Sequence, residues 1–282
     1  MTSTSLLALR DGRKVQVEEY GDPSGIPALW FHGAFSSRLE AWCLDAPARE
    51  LGVRLLSLDR PGVGGSDPHP GRTATGYAED VREVLDQLGI EQAAVGGLSN
   101  GGMFTMAVAS VLGDRVLRAV PYNPSAPVAD PAARATLSLK GRLSYRFIRG
   151  QTDRIASRLT DPKPPGRILA AMNRRHPDAH LVDDPETAAA QGAVIAEVLR
   201  QPVREYLRKE IDLCCGPWGF DHRAVAVPVT IVSGEQDDGL GHARVWAQEL
   251  PHGRLVLVPG GHGGMPAPAV SRRLVELLAG LG

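Results

Sequence analysis

The serine of Gly97-Leu98-Ser99-Asn100-Gly101 is the side chain in this sequence best placed to act as a nucleophile. The short apolar run Ala93-Ala94-Val95-Gly96 precedes it, and Met103-Phe104-Thr105-Met106-Ala107-Val108-Ala109 follows. The first reads as a buried strand and the second as a buried helix. Gly-x-Ser-x-Gly between a strand and a helix is a turn tight enough to force unfavourable angles on the serine. Its small neighbours let the two elements approach, and the hydroxyl stands above the sheet. In a chain with 32 glycines the five-residue pattern is weak alone, and its context gives it weight. A serine hydroxyl is a poor nucleophile at neutral pH. It needs a histidine base, and the base needs a carboxylate to orient it. Two later loops offer these in order. Ile231-Val232-Ser233 runs into Gly234-Glu235-Gln236-Asp237-Asp238, and Leu255-Val256-Leu257-Val258 runs into Pro259-Gly260-Gly261-His262-Gly263-Gly264. Each group follows the carboxyl end of a strand, where open α/β sheets build their sites.

The elements that would carry these loops can be traced along the chain. Val15 to Tyr20 alternates and ends at Gly21-Asp22-Pro23, which predicts an early antiparallel strand and a turn. Ala28-Leu29-Trp30-Phe31 is an apolar strand ending in the loop His32-Gly33-Ala34-Phe35, and helical spacing runs from near Arg38 to Leu51. Val53 to Leu58 is the next strand, stopped by Asp59-Arg60-Pro61-Gly62-Val63-Gly64-Gly65-Ser66-Asp67. Between Thr75 and Leu88, Tyr77, Val81, Val84, Leu85 and Leu88 recur at helical period, with Gly89 as the stop. A strand over Val116 to Tyr122 follows the serine's helix and ends at Asn123-Pro124. This alternation predicts a mostly parallel sheet with helices on both faces. It breaks from about Pro131 to Leu213, where the spacing is helical, and returns with strands over Val227–Ser233 and Arg254–Val258. Helices follow them across His242–Leu250 and Val270–Leu278. The domain reading is a core of residues 1–125 and 222–282, with 126–221 inserted as a helical lid.

Composition narrows the function classes. The length of 282 residues suits one large domain with an insertion, and 43% apolar and 22% charged residues are ordinary for a soluble protein. A net charge of −1 gives no basic surface for nucleic acid or an anionic membrane. The segment from Met1 to Leu7 lacks a basic stretch and a long apolar core, so it does not read as a leader. No apolar run is long enough to span a bilayer. Cys43, Cys214 and Cys215 form neither a disulfide framework nor a zinc-ligand spacing, and a reducing cytoplasm is the expected location.

With these pieces in order, the chain resembles the α/β-hydrolase superfamily over nearly its whole length. The matching parts are His32-Gly33, the Asp59-Arg60-Pro61-Gly62-x-Gly64-x-Ser66 loop, the Ser99 turn, the Gly234-x-x-Asp237 turn and Gly261-His262. The resemblance implies an eight-stranded sheet with an inserted lid, and a catalytic set of Ser99 as nucleophile, His262 as base and Asp237 as its orienter. It implies an oxyanion hole from the backbone N–H of Asn100 and that of Ala34, with Phe35 as the alternative to Ala34. The adjacent Asp238 leaves the acid assignment open by one position, because the proline many relatives carry shortly after the acid is replaced by Asp238-Gly239-Leu240-Gly241. The other position some relatives use for the acid, after the next strand, falls near Asn123, which is not acidic.

The implied activity is hydrolysis of a small or medium carboxylic ester, lactone or thioester, with a small-molecule substrate, no cofactor and no metal. Amide or proline-aminopeptidase-like hydrolysis and perhydrolysis use the same residues; a ligand receptor or biosynthetic cyclase is the reading from another class. A serine in the turn argues against the branches of the family that use aspartate there. Pocket candidates are His32, Met103, Tyr145, Phe147 and Trp218, with Tyr206 beside them. The blander readings give His32 a structural role in the oxyanion loop, Asp59 and Arg60 a loop-pinning role, and Met103 and Met106 a place in the core. They have Trp218 and Phe220 packing the end of the insertion onto the sheet and Cys214-Cys215 inert. His69, His176, His180, His222, His242 and His252 lie in no motif and read as ordinary polar residues.

Overall fold

The computed structural model describes residues 3–154 and 177–282. Eight strands form one sheet: β1 (Ser3–Ala8), β2 (Lys14–Gly21), β3 (Ile26–Phe31), β4 (Val53–Leu58), β5 (Ala93–Leu98), β6 (Val116–Tyr122), β7 (Val229–Gly234) and β8 (Gly253–Val258). Their order is β1-β2-β4-β3-β5-β6-β7-β8. The pairings β1/β2 and β2/β4 are antiparallel, and all the others are parallel. This is the α/β-hydrolase architecture that the resemblance implies.

Strand side chains alternate between two faces, so β3 feeds two cores. Leu29 and Phe31 join a cluster with Tyr77, Val81 and Val84 of α2 (Ala74–Gln87), Phe104 and Val108 of α3 (Asn100–Leu112) and Trp246 of α8 (Leu240–Glu249). Ala28 and Trp30 face the other way, onto Ala48 of α1 (Asp45–Glu50) and Val270, Leu274 and Leu278 of α9 (Pro268–Ala279). The nearly uninterrupted apolar run of α3 has its reason here: Asn100 through Ala109 are all buried.

Between β6 and β7 the described residues contain no strand. They form α4 (Pro131–Thr136), α5 (Leu139–Gly150), α6 (Pro185–Val198) and α7 (Val203–Cys215), plus short 3₁₀ turns at Ala179–Asp183 and His222–Ala224. Two sequence expectations change. The helical spacing from Arg38 to Leu51 is a 3₁₀ segment, Arg38–Leu44, followed by α1 rather than one helix. The main cause is a tertiary contact: the Arg38 N–H donates to Asp59 Oδ1 at 2.7 Å, anchoring the start of this stretch to the loop after β4, and in addition Pro47 can donate no helical bond. Ser3–Ala8 also becomes an edge strand. It is mostly exposed and carries no alternation to announce it, so its pairing with β2 defines it.

Candidate active site

The turn after β5 has the strain that its sequence demands. Ser99 sits at φ 57° and ψ −114°, in the left-handed half of the map that L-residues avoid. Its N–H donates to Tyr122 O at 2.9 Å, and its carbonyl accepts from Gly102 N and Ser125 N at 3.0 Å each, which holds that conformation. The flanking glycines are obligatory. A Cβ on Gly97 would lie 2.6 Å from both Phe31 O and Gly101 O, and one on Gly101 would run into Phe31 O. Ser99 remains half-buried, so its side chain is within reach of solvent.

The loops after β7 and β8 are laced together. Glu235 N donates to Val258 O at 2.9 Å and Gln236 N to Gly260 O at 3.0 Å. This brings His262 Nδ1 to 2.8 Å from Asp237 Oδ2. The Asp237 side chain is 5% exposed and that of His262 is 46% exposed. Asp238 instead turns to solvent and pairs with Lys140 at 2.8 Å, so the geometry selects Asp237 from the two adjacent carboxylates. Because an ionised carboxylate only accepts, the proton between the two residues belongs to Nδ1, which makes Nε2 the accepting nitrogen of the ring. Burial of the ring opposes its charged form, but the hydrogen bond and charge of Asp237 outweigh that, with smaller contributions from Asp178 and Glu40. The His262 pKa is raised above the ordinary histidine value. The accessible edge of the ring lets water moderate the burial penalty, which supports the upward direction.

Asn123, at the non-acidic alternative position, has a different task. Its φ of 43° is the left-handed conformation that asparagine tolerates better than most residues. From there Nδ2 donates to Gly261 O at 3.0 Å and His262 O at 3.3 Å, while Oδ1 accepts from Gly234 N at 2.9 Å. One amide therefore joins the end of β7 to the histidine loop.

The loop after β3 is pinned on both sides. Gly33 N donates to Glu40 Oε2 at 2.9 Å. The Arg60 guanidinium donates to the carbonyls of His32 and Gly33. His32 is fully buried, and its Nε2 accepts from Arg60 N at 3.2 Å. Nδ1 must then be the donor to Gly33 O at 2.8 Å. Burial first, and then the charge of Arg60, push the His32 pKa well down, so the ring is a neutral strut.

Arg60 leads to a buried charge cluster that sequence reading missed. Glu210 of α7, fully buried, accepts from Arg60 Nε at 3.2 Å and a terminal Arg60 nitrogen at 2.8 Å. It also accepts from Arg72 at 2.9 Å and Asn100 Nδ2 at 2.8 Å. Tyr206, one turn earlier on α7, places its hydroxyl 3.2 Å from the same Arg60. The available signal was indirect: a buried arginine requires a buried carboxylate.

The structure distributes the pocket candidates unevenly. Phe35 packs against two apolar clusters under the insertion, one with Val63, Val198 and Tyr206 and the other with Ala126, Leu137 and Ile211. The Tyr145 hydroxyl accepts from Ala126 N at 2.8 Å beside that second cluster. Phe147 is 59% exposed on the outer side of α5, away from any apolar cluster. Met103 and His32 have no accessible surface, and Trp218 lies against Trp246 at 5.6 Å between ring centres, within the core beneath the sheet. His32 and Met103 are enclosed by neighbouring protein atoms, and Trp218 is nearly so, which places all three as the blander readings have them. His176 lies outside the described residues.

Comparisons with known proteins agree with this architecture. A family model described as the alpha/beta hydrolase fold matches residues 27–265. The 3-oxoadipate enol-lactonase 1 of Acinetobacter baylyi is 31% identical over 98 residues, which are 35% of this chain and 36% of that protein. The matched stretch thus spans about a third of that curated relative. A bromoperoxidase from Bacillus anthracis superposes with a TM-score of 0.76 at 18% identity, over 98% of this chain and 99% of the other. A thermophilic esterase from Thermogutta terrifontis superposes at 0.72 with 20% identity, over 99% of each chain. At these identities the two structures speak for the fold alone.

Proposed function

The chain belongs to the alpha/beta hydrolase fold family, and from that premise we propose that it is a serine hydrolase acting on a small or medium carboxylic ester, lactone or thioester. The observation that carries the reading is the 2.8 Å contact of His262 Nδ1 with Asp237 Oδ2, on the same sheet edge as the strained Ser99. Ser99 attacks the substrate carbonyl while His262 Nε2 takes its proton, and Asp237 holds the tautomer and steadies the imidazolium. The developing oxyanion is received by the Asn100 N–H and by that of Ala34 in the loop that Glu40 and Arg60 pin. Each such donor is worth a factor of about 10²–10³ in rate. His262 then returns its proton to the leaving group, and the same ring activates the water that hydrolyses the acyl-enzyme. The insertion between β6 and β7 would act as the lid, and the apolar clusters around Phe35 support a seat on the core for its described residues.

The test is labelling by a fluorophosphonate probe followed by hydrolysis of p-nitrophenyl esters of increasing acyl length, with Ser99→Ala as control. Labelling and turnover that both vanish in the variant support the reading. Turnover that survives in Ser99→Ala refutes the nucleophile. Labelling without turnover of any ester transfers the activated serine to an amide or peroxide reaction.

A further inference from the structure

The loop that carries His262 is gripped by a carboxylate from outside the catalytic set. Asp178, from the helical segment between β6 and β7, is buried at 7% exposure. Its Oδ1 and Oδ2 accept from Gly261 N at 2.9 and 3.1 Å, and its Oδ2 also accepts from Gly263 N at 2.9 Å. These are the amides on either side of His262. The loop is shaped around that carboxylate: a Cβ on Gly260, whose φ is +91°, would lie 2.5 Å from Asp178 Oδ1, and one on Gly264 would lie 3.4 Å away. The carbonyls of Gly261 and His262 are held from the other side by the Asn123 amide. Among the described residues, the peptide groups flanking the base are thus held by a neutral donor, Asn123, and by a charged acceptor, Asp178.

We propose that Asp178 is a positioning residue for His262, clamping the backbone on both sides of the base and setting a second negative charge beside the imidazole. The proposal rests on the serine-hydrolase reading for its kinetic readout, though not for its spectroscopic one. Among the described residues, the charges that act on the ring are Asp237 from the turn after β7, Asp178 from the insertion and Glu40 from the 3₁₀ segment. The Tyr122 hydroxyl of β6 contacts the same loop at Gly261 O, 3.4 Å away, and burial pushes its pKa up so that it stays neutral. Lys140 is taken up by Asp238. Each of the three carboxylates favours the protonated ring. Removing one lowers the ring's pKa and moves the acid limb of activity to lower pH.

Asp178→Asn keeps one oxygen acceptor and removes the charge. Its acid limb of kcat/KM for p-nitrophenyl acetate should move down by about 0.5–1 pH unit. The plateau kcat should fall several-fold with KM unchanged, because the loop is held less firmly. An acid limb that stays in place while only thermal stability falls overturns the proposal, since that is the signature of a purely structural residue. The wild-type protein gives a second readout should the variant not fold. As donors to a buried carboxylate, the Gly261 and Gly263 amide protons should lie downfield of ordinary loop amides in its NMR spectrum and exchange slowly with solvent. If they do not, Asp178 is not their acceptor and the proposal fails. The His262 ring can also be titrated by NMR in the Ser99→Ala background, with and without Asp178→Asn. A lowered ring pKa there, beside a wild-type protein that neither takes the probe nor turns over any ester, would uphold Asp178 and refute the hydrolase reading; wild-type turnover with an unmoved ring pKa would do the reverse.

Discussion

Replacing Glu210 by glutamine tests how the insertion is bound to the catalytic core. The carboxylate accepts four hydrogen bonds, two from Arg60 and one each from Arg72 and Asn100. Glutamine offers one oxygen and a donor amide, so Glu210→Gln leaves at least one face of the cluster with N–H opposing N–H. Both arginine side chains are nearly or fully buried, at 4% and 0% exposure, so neither can recover its hydration. Breaking a buried ion pair by removing one partner costs about 3–5 kcal/mol, because a charge is left unpaired inside the protein. Urea unfolding followed by circular dichroism at pH 7 should show a loss of that size. The pH dependence supplies an internal check. Burial raises the Glu210 carboxyl, but Arg60 and Arg72 overcome it, so its folded pKa lies below the ordinary value. A depressed carboxylate contributes stability that is present above its unfolded pKa of about 4.3 and lost as pH falls through the folded value. The gap between wild type and variant should therefore narrow below about pH 4. A loss under about 1 kcal/mol at pH 7, or a gap that stays constant into acid, would refute the claim that these arginines depend on Glu210.

Asp237→Asn should lower kcat of ester hydrolysis by about 10³–10⁴ through the wrong histidine tautomer, whereas Asp238→Asn, at an exposed pair with Lys140, should change it by less than about twofold. Equal losses in steady-state assays would return the acid assignment to an open question. Asn123→Asp replaces a donor with a charged acceptor facing the carbonyls of Gly261 and His262, and thermal or urea unfolding should register about 1–3 kcal/mol of destabilisation. The raised pKa of His262 puts the acid limb of wild-type kcat/KM above the ordinary histidine value of about 6.5, so activity is lost as pH falls through it; a limb below 6 in the rate profile would contradict the Asp237 contact.

The loops that carry Ser99, Asp237 and His262, and the strands that run into them, were legible in the sequence because both depend on local signals. Gly97 and Gly101 are required by close backbone approaches that any such turn imposes, and the unbroken apolar run of Ala28 to Phe31 is what a strand buried on both faces requires. The strand ends agree to within a residue or two for the same reason: turn residues punctuate them. What was not legible was tertiary in origin. The 3₁₀ start of the Arg38 segment depends on Asp59, far along the chain. Met103 and Trp218 are apolar residues near motifs, and only packing distinguishes a core position from a pocket wall. Glu210 and Asp178 lie in helical stretches where a carboxylate normally means a solvated face, and their partners are respectively 150 and 83 residues away in sequence.

These two carboxylates share a physical logic. Both come from the insertion, and both end on main-chain or side-chain donors next to groups with proposed catalytic roles. Glu210 reaches the oxyanion side, through Arg60 to the carbonyls of His32 and Gly33 and directly to the Asn100 side chain. Asp178 reaches the base side, through the amides of Gly261 and Gly263. An insertion attached only by apolar clusters could slide on the core at small energetic cost, since hydrophobic contact is non-directional. Buried charged hydrogen bonds permit no such sliding, because a displacement of about 1 Å leaves a desolvated charge unpaired. The described part of the insertion is thus registered to the two loops that the proposed attack by Ser99 would need in fixed relation, and removing it would leave both loops without their buried carboxylate partners.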